Sequence, residues 1–403
     1  MLAVEEALER TIAAFSLLPA EWVQLHEALG RVLAEDLVAS RDQPPHAISA
    51  MDGYAIRAAD LASGSATLRL IGAAPAGGSF EGSVGPGETV RIFTGGPLPD
   101  GTDAIALQED ASPDGDSVRL EGAIGPGTYV RPAGLDFRRG DICLKAGKQL
   151  GPRTLGLAAA LNHGWLAVRR KPRIALLATG DELVMPGQAL TAHQIVNSNT
   201  TALSAMVTAW GGEPRNLGIL PDEPDKVAAI VPSLEGADLL VTLGGASVGA
   251  RDLVRSVLAA EGLDLDFWRI AMRPGKPLMF GRIRDIPMLG LPGNPVSAGV
   301  CAILFVRAAI CRMLGLDPSP PERSAVLEEP LGANDRRQDY LRASAAWRPD
   351  GRLGVRAAAK QDSSMLATFA TAQCLIKRLP FAEPAKAGDS VTVLPLTSHG
   401  PGV

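Results

Sequence analysis

Short apolar runs alternate with helix-like segments along the middle of the chain, and this alternation limits the possible fold more than any other feature. The predicted strands and helices are, in order, 174–178 (strand), 200–210 (helix), 216–220 (strand), 225–231 (helix), 239–243 (strand), 252–261 (helix), 288–291 (strand) and a long helix ending at Leu314. Strands that alternate with helices usually pair in parallel, with helices packed on both faces of the sheet. The sequence therefore predicts a three-layer α/β domain with a mostly parallel sheet.

The regions on either side of this segment have different patterns. Val4, Leu8 and Ile12 share one face of a predicted N-terminal helix, and a second helix is expected over 27–37. Residues 44–131 contain short β-like runs separated by Gly, Pro and Asp, which is typical of a small all-β module. After a proline-rich linker at 317–321, the last part of the chain again indicates short strands and turns. With 403 residues, two to four domains are expected.

Charge and cysteine usage exclude several classes of protein. The 39 basic and 44 acidic side chains give a net charge of −5 without a long basic block, which argues against a nucleic-acid surface. The four cysteines share no CxxC or CxxH spacing, which argues against a zinc site and a disulfide scaffold and favours a reducing compartment. Acidic residues stand where a signal peptide needs positive charge, and Arg307 and Arg312 interrupt the longest apolar run. We expect a cytoplasmic protein with no membrane span.

Three Gly/Pro loops follow or separate predicted strands of the α/β segment. Their sequences are LGGASVG at 243–249, RPGKP at 273–277 and GLPGNPVS at 290–297. Such loops expose backbone N–H groups near strand ends and helix starts, where anions bind. For LGGASVG alone, a tight turn without a ligand is equally compatible, and for RPGKP alone a solvated basic turn is the favoured interpretation. Three of them in one domain favour an anion site.

Acidic residues also follow the predicted strands. Asp181 and Glu182 come after the first strand, and Asp222 and Asp252 follow later ones. Mg²⁺ takes one or two protein carboxylates together with waters and ligand phosphates, so this pattern is compatible with a magnesium site. Helix caps and solvated turns are the alternative, and they are the commoner place for a loop Asp. The five histidines have no ligand spacing, and no nucleophile motif is present.

Six motifs occur in one order along nearly the whole chain. They are SAMDGYA (49–55), TGGPLPDGTDAI (94–105), ATGDELVMPG (178–187), LGGASVGARD (243–252), RPGKP (273–277) and GLPGNPVSA (290–298). In these motifs the chain resembles the molybdopterin molybdenumtransferase family, whose module also forms the C-terminal domain of gephyrin. The resemblance implies a transferase that inserts molybdate into the dithiolene of adenylylated molybdopterin, with Mg²⁺-dependent release of AMP.

The resemblance also implies an elongated subunit of four domains. They are a discontinuous helical and mixed dimerisation domain (1–43 and 132–170), an inserted small β domain (44–131), an α/β molybdopterin-binding domain (171–317) and a C-terminal β-barrel-like domain (318–403). The subunit is expected to form a homodimer whose active site is shared between subunits, and to contact a molybdopterin adenylyltransferase transiently.

The resemblance assigns residues to tasks by motif match. The nucleotide phosphates would be held by Gly244, Gly245, Ser247 and Gly249, and Mg²⁺ by Asp252 with Glu182. Molybdate or substrate anions would be held by Arg273, Lys276, Pro292, Gly293, Asn294 and Ser297. Further acidic positions of the cleft would be Asp136, Glu182 and Asp222, with Asp52 and Thr94 arriving from across the dimer. Arg342 and Ser364 resemble a second oxyanion-binding pair.

Two departures and two alternatives accompany this assignment. Family members commonly have KPGKP, so Arg273 replaces a point charge with a planar fork. The stretch ending at Asp136 also differs from the family's usual form. A non-catalytic scaffold that keeps the fold is one alternative, although the retained Lys276 and Asp252 disfavour it. An enzyme specialised for tungstate is the other alternative. The sequence does not discriminate between molybdate and tungstate, because the two oxyanions have nearly equal size and equal charge.

Overall fold

The computed structural model describes residues 1–75, 77–221, 223, 230–244 and 262–396. Contacts divide the chain into two units, which we describe separately. The larger unit comprises Met1–Ala34, Gly147–Arg153 and Trp165–Val403, and the smaller unit comprises Glu35–Ala146 and Thr154–Gly164. The finer division into four domains remains a prediction.

A six-stranded sheet forms the centre of the larger unit. Its strands, in spatial order, are Glu213–Leu220, Arg173–Thr179, Leu239–Leu243, Ile286–Leu291, Met279–Ile283 and Leu263–Trp268. The first four strands pair in parallel, as predicted, and Met279–Ile283 pairs antiparallel with the strand on either side of it. Neither Met279–Ile283 nor the edge strand Leu263–Trp268 was predicted, although the alternation of Leu with Asp264 and Asp266 is typical of a half-exposed strand. The prediction of a mostly parallel sheet is confirmed.

Helices cover one face of this sheet. They are Ser198–Ala209 and a long helix, Pro295–Leu314, which consists of Pro295–Cys301, a π-helical turn at Ala302–Val306 and Arg307–Leu314. The long helix is apolar enough to cross a membrane by length and composition, but 83% of its most apolar window is buried inside the protein, as in a core helix. Residues 225–229 and 252–261, where the sequence predicts helices, lie outside the described residues.

The N-terminal helix is confirmed at Val4–Ala13, and the strand Ala20–Gln24 pairs with Trp165–Arg169. The prediction of a helix over 27–37 is wrong. A short 3₁₀ turn at Leu25–Glu27 ends where the predicted helix would begin. Backbone amides that follow it donate to carbonyls of distant segments. The amide of Leu33 bonds to Lys148, and that of Ala34 bonds to Ala167. Pairing with distant segments therefore overrides the local helical pattern.

A closed five-stranded barrel forms the C-terminal part of the larger unit, as predicted. Its strands are Arg323–Leu327, Gln338–Trp347, Leu353–Ala357, Cys374–Arg378 and Ser390–Pro395, and pairing of Gln338–Trp347 with Cys374–Arg378 closes it. A short helix lies at Leu366–Thr371. The two-residue strand Met272–Arg273 adds to the barrel in parallel with Gln338 and Asp339. One hydrophobic core contains Val4, Val241 and Tyr340, so the N-terminal helix, the α/β sheet and the barrel pack as one body.

The smaller unit is built on a mixed six-stranded sheet. Its strands, in spatial order, are Ala104–Leu107, Gly53–Ile56, Glu88–Ile92, Ser65–Ala74, Ser117–Glu121 and Ala111–Asp114. Two further strand pairs are Leu37–Val38 with Ile142–Leu144 and Ile48–Ser49 with Val130–Arg131. The helix Pro152–Ala160 begins at the boundary of the two units. The β module expected from the sequence is confirmed.

Candidate functional site

A large cleft of about 1170 Å³ lies in the larger unit, at the carboxyl ends of parallel strands. Ligands of open α/β sheets bind at this edge. The cleft is lined by parts of six segments, 179–183, 195–199, 243–244, 272–277, 292–297 and 361–366, together with Arg337. The described parts of all three Gly/Pro loops therefore line one cavity.

The RPGKP loop places Lys276 on the wall of the cleft. Its side chain is exposed, and its ammonium makes no hydrogen bond or ion pair with any residue that the structure describes. The backbone is held in place, because the carbonyl of Lys276 accepts the amide of Ile270 at 3.0 Å. The ammonium is thus a cation without a partner in the described part of the chain, and it stands on an anchored turn.

Arg273, at the start of the same loop, is placed differently. Its guanidinium forms ion pairs with Asp335 at 3.2 Å and with Asp339, both of the barrel region. Arg337, which also lines the cleft, is paired with Asp335 at 2.7 Å. Among the described cleft-lining residues, Lys276 is therefore the cation without a carboxylate partner.

The GLPGNPVS loop directs a helix N-terminus into the cleft. Pro295 has no N–H group, the amide of Val296 donates to the carbonyl of Ser363 at 3.1 Å, and the amide of Ala298 donates to Asn294. The amide and hydroxyl of Ser297 have no hydrogen-bond partner among the described residues, and Ser297 is only 5% exposed. A helix N-terminus favours anions. Ser297 thus presents two donors where an oxyanion could bind.

Neighbouring segments hold this loop in position. The side-chain amide of Asn199 donates to the carbonyl of Gly293 at 2.7 Å, and that of Asn294 donates to the hydroxyl of Ser363 at 2.8 Å. Sequence analysis missed Asn199 and Ser363. The polar triplet at 197–199 was the available signal for Asn199, since Asn197 caps the helix that begins at Ser198.

The first residue of the glycine-rich loop, Gly244, is the last one described there. Its φ of +94° suits glycine, and a Cβ would lie 2.8 Å from the carbonyl oxygen of Thr179. Five predicted site residues lie outside the described residues, namely Asp222, Gly245, Ser247, Gly249 and Asp252. Their phosphate and metal roles stay predictions.

Glu182 provides an exposed carboxylate on the cleft wall. Among the described residues, no group of three or more His, Cys, Asp or Glu side chains lies close enough to hold a metal ion. Mg²⁺ needs only one or two protein carboxylates, because it completes its shell with waters and ligand phosphates. The described part of the cleft is therefore compatible with magnesium bound mainly through a substrate.

Arg342 lies behind the cleft wall and is only 1% exposed. Its guanidinium donates to the carbonyl of Asp362 at 2.7 Å and to the side chain of Gln361 at 3.1 Å, and burial lowers its pKa. Ser364, by contrast, lines the cleft. The structure thus separates the predicted pair: Arg342 organises the 360–362 loop, and Ser364 faces the cavity.

The Ser364 hydroxyl donates to the carboxylate of Asp362 at 2.6 Å, and its amide donates to the same oxygen at 2.8 Å. These bonds, together with the charge of Arg342, lower the pKa of Asp362. Asp362 therefore stays ionised at neutral pH and fixes the rotamer of Ser364. The sequence analysis did not identify Asp362.

In the smaller unit, Asp52 and Thr94 are in direct contact. The amide and hydroxyl of Thr94 donate to one Asp52 oxygen at 2.7 and 2.8 Å. The amide bond, the hydroxyl bond and the charge of Arg91 lower the pKa of Asp52. Asp136 is exposed, and its amide donates to Gln43. Asp52 and Thr94 therefore lie together, and their role in a shared site stays a prediction.

Replacing Thr94 with valine is expected to raise the pKa of Asp52 toward its ordinary value, because one of two stabilising hydrogen bonds is lost. A lowered carboxyl pKa contributes stability above the unfolded-state pKa, and this contribution is lost as pH falls through the folded-state pKa. Thr94→Val should therefore flatten the acid side of the stability profile. Carbon-13 NMR titration of the Asp52 carboxyl measures the shift, and Thr94→Ser, which keeps the hydroxyl, should retain the low pKa. An unchanged Asp52 titration in Thr94→Val would contradict the assignment.

Comparisons with known proteins match nearly the whole length of the chain. Family models for the MoeA N-terminal region (domain I and II), a probable molybdopterin binding domain and the MoeA C-terminal region (domain IV) match residues 2–162, 175–312 and 324–396. A molybdopterin molybdenumtransferase of Haemophilus influenzae is 35% identical over 93% of both chains. The chain belongs to the molybdopterin molybdenumtransferase family. It is thus a transferase of molybdenum cofactor biosynthesis.

Two further comparisons extend over almost all of this molybdenumtransferase-family chain. Molybdopterin molybdenumtransferase 1 of Mycobacterium tuberculosis (strain ATCC 25618 / H37Rv) is 33% identical over 99% of this chain and 100% of its own length. The crystal structure of a molybdopterin biosynthesis MoeA protein from Pyrococcus horikoshii superposes with a TM-score of 0.85, at 29% identity, over 99% of this chain and 100% of that one. The family and fold implied by the six motifs are confirmed.

Proposed function

We propose that this transferase inserts molybdate into the dithiolene of adenylylated molybdopterin, with Mg²⁺-dependent release of AMP. The observation that carries the proposal is the position of Lys276 and Ser297 in one cleft, the first as a cation and the second with two donors, all without a partner among the described residues. Both the metal oxyanion and the nucleotide phosphates are anions. A net acidic protein needs such local donors to bind them.

The three Gly/Pro loops are proposed to bind different groups of the two substrates. The RPGKP and GLPGNPVS loops supply the ammonium of Lys276 and the donors of Ser297 for molybdate. The loop that begins at Gly244 is proposed to hold the phosphates. Ser364 is far from these loops in the sequence but lines the same cleft. Its hydroxyl is held by Asp362, and its oxygen can accept a hydrogen bond from the pterin or its substituents.

Glu182 is the described carboxylate proposed to hold Mg²⁺, together with Asp252. When bound, Mg²⁺ offsets phosphate charge and makes AMP a better leaving group. Glu182 is exposed to the cleft and can approach a phosphate-bound ion. Support for magnesium comes from the donor chemistry of this carboxylate.

We also propose that the protein is a cytoplasmic homodimer, in which Asp52 and Thr94 of one subunit reach the cleft of the other. The dimer is proposed to receive its substrate from a molybdopterin adenylyltransferase by transient contact. The four cysteines are free thiols, as suits a reducing compartment. The low pKa of Asp52 keeps it ionised, so it can orient donors of the substrate or waters around Mg²⁺.

The test combines purified protein, adenylylated molybdopterin, Mg²⁺ and molybdate. Stoichiometric AMP release and formation of active cofactor are expected, and both should stop when Mg²⁺ is chelated. Absence of AMP release would overturn the proposed reaction. Equilibrium binding of AMP and molybdate separates an enzyme from a scaffold, because a pure scaffold binds neither. Competition between molybdate and tungstate establishes which oxyanion is preferred.

A further inference from the structure

The guanidinium of Arg273 is engaged by three acceptors of one barrel segment. It donates to Asp335 at 3.2 Å, to the side-chain oxygen of Asn334 at 3.2 Å and to Asp339. The acceptors are themselves held: Asn334 donates to the carbonyls of Arg337 and Leu379, each at 2.8 Å. The cation at the start of the RPGKP loop is thus bound to a fixed part of the barrel.

Among the acceptors of Arg273, Asp339 is the one whose ionisation depends most on the guanidinium. Its side chain is only 4% exposed, and its second oxygen is buried without a hydrogen-bond partner in the described structure. Burial raises the pKa of Asp339, and the hydrogen bond and charge of Arg273 oppose that rise. A buried carboxylate without its cation is strongly unfavourable. Arg273 and Asp339 therefore form a coupled pair.

The backbone joins the same two segments. Met272 and Arg273 pair in parallel with Gln338 and Asp339, and the amide of Gln338 donates to the carbonyl of Ala271 at 2.8 Å. The RPGKP loop therefore begins as an added strand of the barrel. A planar guanidinium can reach three acceptors at once, which a lysine ammonium on a flexible stem does less well.

We infer that Arg273 is a positioning residue: its contacts with Asp335 and Asp339 lock the RPGKP loop onto the barrel and thereby hold Lys276 in the cleft. The charge of Arg273 is neutralised by these carboxylates, so Arg273 does not serve as a ligand of the oxyanion. Lys276 follows Arg273 by three residues on a turn with two prolines, so movement at Arg273 is transmitted to the Lys276 ammonium. The inference deepens the proposed function, because molybdate is taken as the ligand of Lys276.

The two possible roles of Arg273 predict opposite behaviour for Asp339→Asn. If Arg273 positions the loop, Asp339→Asn and Arg273→Gln both weaken molybdate binding. The double variant is then no worse than Arg273→Gln alone, because both changes break the same contact between Arg273 and Asp339. If Arg273 is an oxyanion ligand, Asp339→Asn frees a cation, leaves molybdate binding unchanged or tighter, and Arg273→Gln alone weakens it.

The experiment measures the molybdate dissociation constant by calorimetry, and kcat and KM for both substrates, in full-length protein. We expect Arg273→Gln to weaken molybdate binding about 10-fold to 100-fold, the usual cost of losing a residue that orients a ligating group, while KM for adenylylated molybdopterin stays at the wild-type value. Arg273→Lys should restore part of the affinity. Arg352→Gln, which breaks a remote ion pair with Asp350, is the matched control and should equal wild type.

Each outcome has one meaning. If wild-type protein binds no molybdate and releases no AMP, the proposed function fails. If wild type is active but Arg273→Gln and Asp339→Asn bind molybdate normally, the positioning role is wrong. Tighter binding by Asp339→Asn also overturns it. Thermal melting identifies any variant that does not fold. If Arg273→Gln does not fold, Arg273→Lys replaces it in the comparison with Asp339→Asn.

Discussion

Lys276→Ala is expected to lower the rate of molybdenum insertion by about 10²–10³-fold, the usual cost of removing one donor that stabilises an oxyanion. Lys276 is exposed on the cleft wall and makes no ion pair with the described residues, so the change removes charge from the site without disturbing a core. Molybdate turnover and AMP release, measured in parallel, give the effect.

Lys386→Ala is the matched control, because Lys386 is also an exposed lysine of the larger unit but does not line the cleft. It should retain wild-type turnover. Thermal melting should show the same transition for both variants and wild type. Normal turnover of Lys276→Ala would remove Lys276 from the site and would leave Ser297 as its main anion donor.

Gly275→Ala is expected to destabilise the larger unit by about 2–6 kcal/mol, since backbone strain and overpacking each cost about 1–3 kcal/mol. Gly275 has a φ of +113°, where residues with a side chain are strained. A Cβ would lie 2.2 Å from the terminal methyl of Met272 and 2.6 Å from the sulfur of Cys301. Urea unfolding followed by tryptophan fluorescence measures the loss.

Gly388→Ala separates the two causes. Gly388 has a φ of +94°, but nothing lies within 4 Å of a Cβ placed there. Its variant should show the backbone strain alone and hence a smaller loss of stability. Equal losses in the two variants would show that the contacts with Met272 and Cys301 relax without cost. No loss in Gly275→Ala would contradict the close packing beneath the RPGKP loop.

Several features of the fold follow directly from local sequence. The alternation of apolar runs with helical segments predicts the parallel strands, because burial on both faces of a sheet requires nearly continuous apolar sequence. The loops that begin at Gly244 and Pro292 follow parallel strands, and the carboxyl ends of parallel strands share one edge of a sheet. The RPGKP loop instead lies between two antiparallel-paired strands that were not predicted and joins the barrel at Met272–Arg273, and its Lys276 lines the same cleft as Ser297.

Other features depend on partners far away in the chain. The segment 27–37 has a helical pattern, yet Leu33 and Ala34 donate to carbonyls more than a hundred residues away. Arg342 belongs to a motif that suggests an anion ligand, but barrel closure buries it against the 360–362 loop. Neither arrangement leaves a local signal in the sequence.

The sequence by itself determined the family, the order of the motifs and the presence of two cations, Arg273 and Lys276, on one stiff turn. Only the tertiary structure decided that these cations differ, because Asp339, the partner of Arg273, is 66 residues away and reaches it through pairing of the loop with the barrel. Periodicity and turn chemistry are properties of neighbouring residues. Charge pairing depends on which distant segments the core brings together, and that is decided only when the chain folds.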